Sequence, residues 1–157
     1  FKMYFIGTGY AADDMKQLVT DFEITDKVKF VGIVLDRELL KRYYAAADLF
    51  LFPSIYDNAP LVVREASALQ TPAVLVKDST ASEVITDNFN GFLIENTASS
   101  LAEKIRELTA NPLLICEAGT NASKTIGTPT ISDIYVPKSI NPASNARHSI
   151  LKKSGFL

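Results

Sequence analysis

An α/β fold built on a doubly wound, Rossmann-like parallel sheet is what this sequence predicts. Three observations carry that reading. Short runs such as Leu49–Phe52 and Pro72–Val76 are apolar throughout, as in strands that a parallel sheet buries on both faces. Stretches with apolar residues at helical spacing lie between them. Glycine, proline and asparagine punctuate the junctions, so strand and helix alternate along the chain.

The elements follow in order. Lys2–Ile6 is a short apolar run stopped by Gly7-Thr8-Gly9, hence a strand and a tight turn. Ala11, Met15, Leu18, Val19 and Phe22 then recur at helical spacing. Val28–Val31 predicts a second strand, ended by Gly32. Asp36 is placed to cap a helix with Leu39, Leu40, Tyr43, Tyr44 and Ala47 on its inner face. Leu49–Phe52 predicts a third strand, ending at Pro53-Ser54. Pro60–Gln70 reads as a helix, with proline accommodated in its first turn. Pro72–Val76 predicts a strand, Ser79–Ile85 a short helix and Gly91–Ile94 a further strand. Leu101, Ile105 and Leu108 mark a helix closed by Asn111-Pro112, and a last helix runs from about Leu113 to Ile126.

Composition bounds the function. The 157 residues, 47% hydrophobic and 22% charged, suffice for about one domain with a sizeable core. A net charge of −2 argues against a dedicated nucleic-acid binder. The single Cys116 excludes an internal disulfide framework and a cysteine-cluster zinc site. No run approaches the ~18 apolar residues of a membrane span, and no signal-peptide pattern opens the chain, so a cytoplasmic protein is expected. The chain starts at Phe1, already in strand-like sequence, and is expected to be a piece of a longer protein.

Residues 127–157 differ from the rest. They hold Pro129, Pro137 and Pro142, four basic residues against the single acid Asp133, and no helical periodicity before Ile150. The expected division is a Rossmann-like domain over 1–126 and an atypical basic tail over 127–157.

In open α/β sheets, ligands bind at the carboxyl ends of strands. Gly7–Tyr10, Gly32–Asp36 and Ser54–Leu61 qualify. Gly7-Thr8-Gly9-Tyr10-Ala11-Ala12 fits a loose G-x-G-x-x-A pattern. A dinucleotide site also needs an acid at the end of the next strand, where this chain has Gly32. A turn requiring glycine dihedrals is the simpler account.

The stretch from Ser54 to Ala66 is more informative. A helix beginning near Ala59 or Pro60 points backbone N–H groups at the strand end, a ready phosphate site. At 100° per residue, Glu65 falls between Leu61 and Leu69 inside the apolar arc, with Arg64 and Ser67 opposite. A carboxylate there must be paired or must line a cleft; a structural salt bridge or a ligand contact both satisfy this. Asp57, eight positions earlier, is either a helix cap or a second ligand-facing acid. A glycosidase pair is disfavoured, because a nearby helix N-terminus weakens a carboxyl as a proton donor. His148 lies in the basic tail, and Cys116 is expected at the edge of the core. Arg64 is expected to be solvated or salt-bridged. Tyr43 and Tyr44 are expected to pack. Lys77 and Ser79-Thr80 allow either ligand contact or turn chemistry.

Over about Lys2 to Ile126 the sequence resembles the donor-binding half of family 4 (group 1) glycosyltransferases, which have the two-domain GT-B fold. The resemblance rests on an ordered series: Phe5–Gly9, Val28–Gly32, Leu40–Ser54, Pro60–Ala66 with Ala68, Thr71–Val74, Glu83–Ile85 and Asn90–Leu93. The family's two acids, eight apart, fall on Asp57, in place of the usual glutamate, and on Glu65.

This resemblance implies a hexosyltransferase that uses a nucleoside-diphosphate sugar as donor, retains anomeric configuration and requires no metal or other cofactor. Glu65 would accept hydrogen bonds from the ribose hydroxyls. Asp57, in the catalytic position, would face the donor sugar. Backbone N–H groups of Asn58, Ala59, Pro60's neighbours and Leu61 would hold sugar and diphosphate. Gly32, Ile33 and Val34 would flank the base, with Gly7 at the adjoining strand end. The acceptor-binding N-terminal domain, and the Arg and Lys that grip the diphosphate, are expected before Phe1, so this fragment alone would be inactive. The other readings are a nucleotide-sugar epimerase or phosphorylase of the same architecture, and a non-catalytic ligand-binding α/β module.

Overall fold

The computed structural model describes residues 1–55 and 61–126. Asp57, Asn58, Ala59 and Pro60, the 127–157 tail and His148 lie outside the described residues. Strand and helix alternate as the sequence predicts: β1 (Met3–Ile6), α1 (Ala12–Asp21), β2 (Val28–Gly32), α2 (Arg37–Ala46), β3 (Phe50–Phe52), α3 (Leu61–Ala68), β4 (Ala73–Val76), a 3-10 turn (Thr80–Val84), β5 (Phe92–Ile94), α4 (Ala98–Ala110) and α5 (Pro112–Thr125). Every strand pairing is parallel. Hydrogen bonding groups the strands into two sheets, β1-β2 and β3-β4-β5. The chain divides into two compact units, Phe1–Leu40 and Lys41 onward.

In the first unit β1 lies parallel to β2, with Phe5 stacked on Phe30 at 5.1 Å. The register slips between Phe5 and Ile6, which pairs with Gly32. Apolar runs predict full burial, yet neither strand here has a buried residue. Leu18 and Phe22, two of the apolar residues at helical spacing, are exposed. Strand spacing explains this: two strands ~4.8 Å apart cannot cover the side of a helix ~10 Å across.

The second unit is wound on both faces. Side chains of β4 alternate between two cores, as strand geometry requires. Ala73 and Leu75 join Val63, Ala81, Ile85, Ala122 and Ile126. Val74 and Val76 join Phe92, Ile94, Leu108, Ile115 and Ala118. Helix α5 therefore serves both cores, its first half on one and its last turns on the other. Thr97 caps α4, accepting from the Ser100 amide at 3.2 Å, and Pro112 opens α5 where its missing N–H costs nothing.

Three sequence landmarks acquire physical reasons. At Gly91 a Cβ would lie 2.6 Å from Ile85 Cδ1 and 3.1 Å from the Ala73 carbonyl, so any side chain there obliges Ile85 to shift. Buried Asn90 accepts from the Thr86 amide at 2.7 Å and donates to Thr125 Oγ1 at 2.9 Å, tying the loop before β5 to α5. Buried Thr71 donates to the Tyr44 carbonyl at 2.6 Å, joining the start of β4 to the end of α2. Helix α3 ends in a Schellman motif: Gln70 N–H donates to Ser67 at 2.9 Å and Thr71 N–H to Ala66 at 3.0 Å. That motif puts Gln70 at φ 58°, where glycine is usual.

Candidate functional site

Helix α3 follows β3 directly in the chain order, so its N-terminus belongs to the strand-end side where α/β sheets bind ligands. The first-turn amides, from Leu61 to Val63, have no acceptor within the helix, and the macrodipole adds positive potential there. Leu61 and Glu65, one turn apart, share a face of α3. Leu61 is 55% exposed, while Glu65 is half-buried and engaged in an interaction of its own. An exposed leucine beside a half-covered carboxylate, behind a ring of N–H donors, can take a ligand that is anionic at one end and hydroxylated at the other.

The wheel reading of α3 needs correction at Leu61 and Ser67. Hydrophobicity sets an apolar arc from Ala68 and Leu61 through Leu69, Val62 and Ala66 to Val63, and leaves Arg64 and Ser67 opposite. In the structure Val63, Ala66, Ala68 and Leu69 of that arc are buried as expected, but Ser67 is fully buried with them and Leu61 is turned out. Size decides this: small side chains let α3 approach its neighbours closely, and the bulky Leu61 does not fit that line. Arg64, expected to be solvated or salt-bridged, is half-buried and reaches the Ile126 carbonyl at 3.5 Å, where the C-terminal end of α5 favours a cation. The triplet Ala66-Ser67-Ala68 was the available signal for this contact face.

The Ser67 hydroxyl is buried without a hydrogen-bond partner among the described residues. A desolvated, unpaired hydroxyl costs ~1–3 kcal/mol, and alanine is the better helix former. Ser67→Ala is therefore expected to raise stability by about 1 kcal/mol, read as a shifted urea midpoint at unchanged slope.

In the first unit, Gly7 and Gly32 adopt φ of 115° and 79°, with open space where a Cβ would stand. Conformation, not close packing, selects glycine at both. The Gly7 amide donates to the Gly32 carbonyl at 2.8 Å, which fixes the two strand ends to each other. Beyond them Ile33 and Leu35 are exposed, at 67% and 87%, and Val34 is half-covered. Asp36 Oδ1 accepts from the Glu38 and Leu39 amides at 2.9 and 3.2 Å and so caps α2 as predicted. That use of Asp36 agrees with the weakness of the dinucleotide pattern.

The remaining candidates make contacts within the chain. Tyr43 and Tyr44 are buried, and Tyr44 meets Phe50 edge-on at 5.4 Å. Cys116 is half-buried. Ser79 Oγ donates to the Val76 carbonyl at 2.6 Å, a turn contact, and Lys77 sits 3.9 Å from Glu95 on the surface. No group of three or more His, Cys, Asp or Glu among the described residues could hold a metal ion, and none of their helices is long and apolar enough to cross a membrane.

Parallel strands with interleaved helices define the class as an α/β protein of the doubly wound type, whose ligands bind at strand ends. Comparison with known proteins makes this specific: the family described as glycosyl transferases group 1 matches residues 1–125, and the chain belongs to it. It is similar to the amylovoran biosynthesis glycosyltransferase AmsK of Erwinia amylovora, 33% identical over 116 residues, which cover 69% of this chain and 28% of AmsK. Among solved structures it resembles sucrose-phosphate synthase from Thermosynechococcus elongatus, at 25% identity and a TM-score of 0.70, covering 83% of this chain and 36% of the other. Anabaena HepE, solved in complex with UDP and glucose, matches at 25% identity and a TM-score of 0.68, covering 85% of this chain and 38% of HepE. The chain thus spans about a quarter to a third of the curated relatives it matches first.

Proposed function

We propose that this chain is the donor-binding part of a retaining hexosyltransferase that takes a nucleoside-diphosphate sugar. The observation that carries the reading is the Leu61–Glu65 face of α3 in a group 1 glycosyltransferase chain. Ionised Glu65 accepts from the ribose hydroxyls, a role that needs an acceptor-only group. The α3 amides meet the diphosphate and stabilise the charge that grows on it as the sugar leaves, without a metal. Asp57 faces the donor sugar, Asn58 to Leu61 contribute backbone contacts, and the Gly32–Val34 segment offers peptide edges to the base. The UDP and glucose bound to HepE support this class of ligand. The acceptor is held by an N-terminal domain of the parent protein, and transfer takes place in the cytoplasm.

Calorimetric titration of the parent polypeptide with UDP, GDP and their sugars tests this. One nucleotide series is expected to bind. Asp57→Ala is expected to weaken the sugar nucleotide by roughly 10-fold, the loss of one charge-assisted hydrogen bond, while free nucleotide binds as before. Equal loss for both ligands would remove Asp57 from the sugar.

A further inference from the structure

Asn90 and Gly91 form the one Asn-Gly pair in the sequence. In an open chain this is the setting in which asparagine is least stable, because glycine leaves the following backbone nitrogen unshielded and free to turn. The Gly91 nitrogen, having lost its proton, bonds to Asn90 Cγ, and the bond from Cγ to Nδ2 breaks. Nδ2 takes a proton from water and leaves as ammonia, and a cyclic imide remains. Water then opens the imide at either carbonyl, giving aspartate or its isomer linked through the side-chain carboxyl.

The fold holds both reacting groups apart. Asn90 is only 4% exposed, and its carboxamide is engaged on every side. Oδ1 accepts from the Thr86 amide at 2.7 Å, while Nδ2 donates to the Val84 carbonyl at 3.2 Å and to Thr125 Oγ1 at 2.9 Å. Attack at Cγ requires the carboxamide to swing off all three. Gly91 is buried as well, which keeps base away from its N–H, and its carbonyl accepts from the Asn88 amide at 2.9 Å. Phe92, directly after it, is fully buried and pairs with Val74 of β4.

The products do not fit the same frame. Aspartate loses both N–H donors and sets a buried carboxylate against the Val84 carbonyl. The isomer threads the Asn90 Cβ into the main chain immediately before β5. No room exists for it there, since even a Cβ on Gly91 would stand 3.1 Å from the Ala73 carbonyl. Phe92 would be displaced from its place opposite Val74.

We propose that Asn90 is a modification site gated by folding. It is preserved in the native chain, deamidates whenever the 86–93 segment is open, and once converted bars return to the native state. Nothing in this depends on the nucleotide reading.

The parent polypeptide, incubated at mildly alkaline pH in buffer and in guanidinium chloride, tests it. Tandem mass spectrometry reads residue 90 as asparagine, aspartate or the isomer, and a synthetic peptide of residues 86–95 gives the unrestrained rate. Denatured protein and peptide are expected to react alike, and native protein on the order of 100-fold or more slower. After dilution from denaturant, the refolded fraction is expected to be at least roughly 10-fold poorer in converted Asn90 than the unfolded remainder. Native protein that reacts as fast as the peptide would overturn the proposal, as would equal conversion in the two fractions. Asn90→Asp, expressed directly, reads the product without refolding and is expected to unfold at a lower denaturant midpoint; an equal midpoint would overturn it as well.

Discussion

Gly119→Val is expected to destabilise the second unit by at least about 3 kcal/mol, enough to leave much of the protein unfolded near 37 °C. Helix α5 crosses the Gln70–Pro72 segment so closely that a Cβ on Gly119 would overlap the Gln70 carbonyl and stand 3.2 Å from Pro72 Cδ. The colliding group is backbone, held by the Schellman motif that ends α3 and by the buried Thr71–Tyr44 hydrogen bond. Relief would require α5 to move away, and α5 contributes Ile115 and Ala118 to one core and Ala122 to the other. Valine also restricts its own rotamers in a helix. Thermal unfolding followed by circular dichroism reads the effect. Gly119→Ala separates overlap from helix preference: alanine favours the helix by ~1 kcal/mol, so a net loss identifies steric overlap as the cause. A stable Gly119→Val protein would show that the α5 approach is looser than described.

Glu65→Ala is expected to weaken nucleotide binding by roughly 10- to 100-fold, the loss of hydrogen bonds to a charged acceptor worth ~1.5–3 kcal/mol. Glu65→Gln keeps the shape and one carbonyl acceptor but brings an NH2 group where the ribose hydroxyls need acceptors, so it should recover only part of the affinity. Fold stability is read separately, because Glu65 is half-buried and makes an interaction within the chain that both variants alter. Calorimetry with the nucleotide and thermal unfolding without it separate the two effects. Unchanged affinity in both variants would take the ribose role from Glu65.

How much of this was legible in the sequence depended on how local the cause was. Strand positions followed from short apolar runs and glycine stops, and each came out within a residue or two. Asp36 as a cap and Asn111-Pro112 as a helix junction are written in neighbouring residues. Burial in the first unit was not legible from its pattern, because full coverage of an apolar strand depends on how many strands lie beside it. On α3 the wheel placed Val63, Ala66, Ala68 and Leu69 correctly and missed two positions, exposed Leu61 and buried Ser67, because it weighs hydrophobicity and not the size that lets a small side chain into a close contact. Buried Ser67 and the Arg64 contact with Ile126 depend on the path of α5, some sixty residues downstream. Of the candidate residues, Leu61 and Glu65 share one face as spacing required, and Gly32 to Val34 stand at the end of β2, with Ile33 exposed. The roles assigned to Asp57 through Pro60 rest on the sequence resemblance, since these residues lie outside the described ones.

The most direct measurement is a two-dimensional amide NMR titration of the parent polypeptide with the nucleoside diphosphate that binds it. If α3 forms the diphosphate and ribose site, the Leu61, Val62 and Val63 amides are expected to show the largest shifts, and Glu65→Gln should shrink them at equal ligand concentration. A nucleotide that binds while these amides stay still would contradict the account.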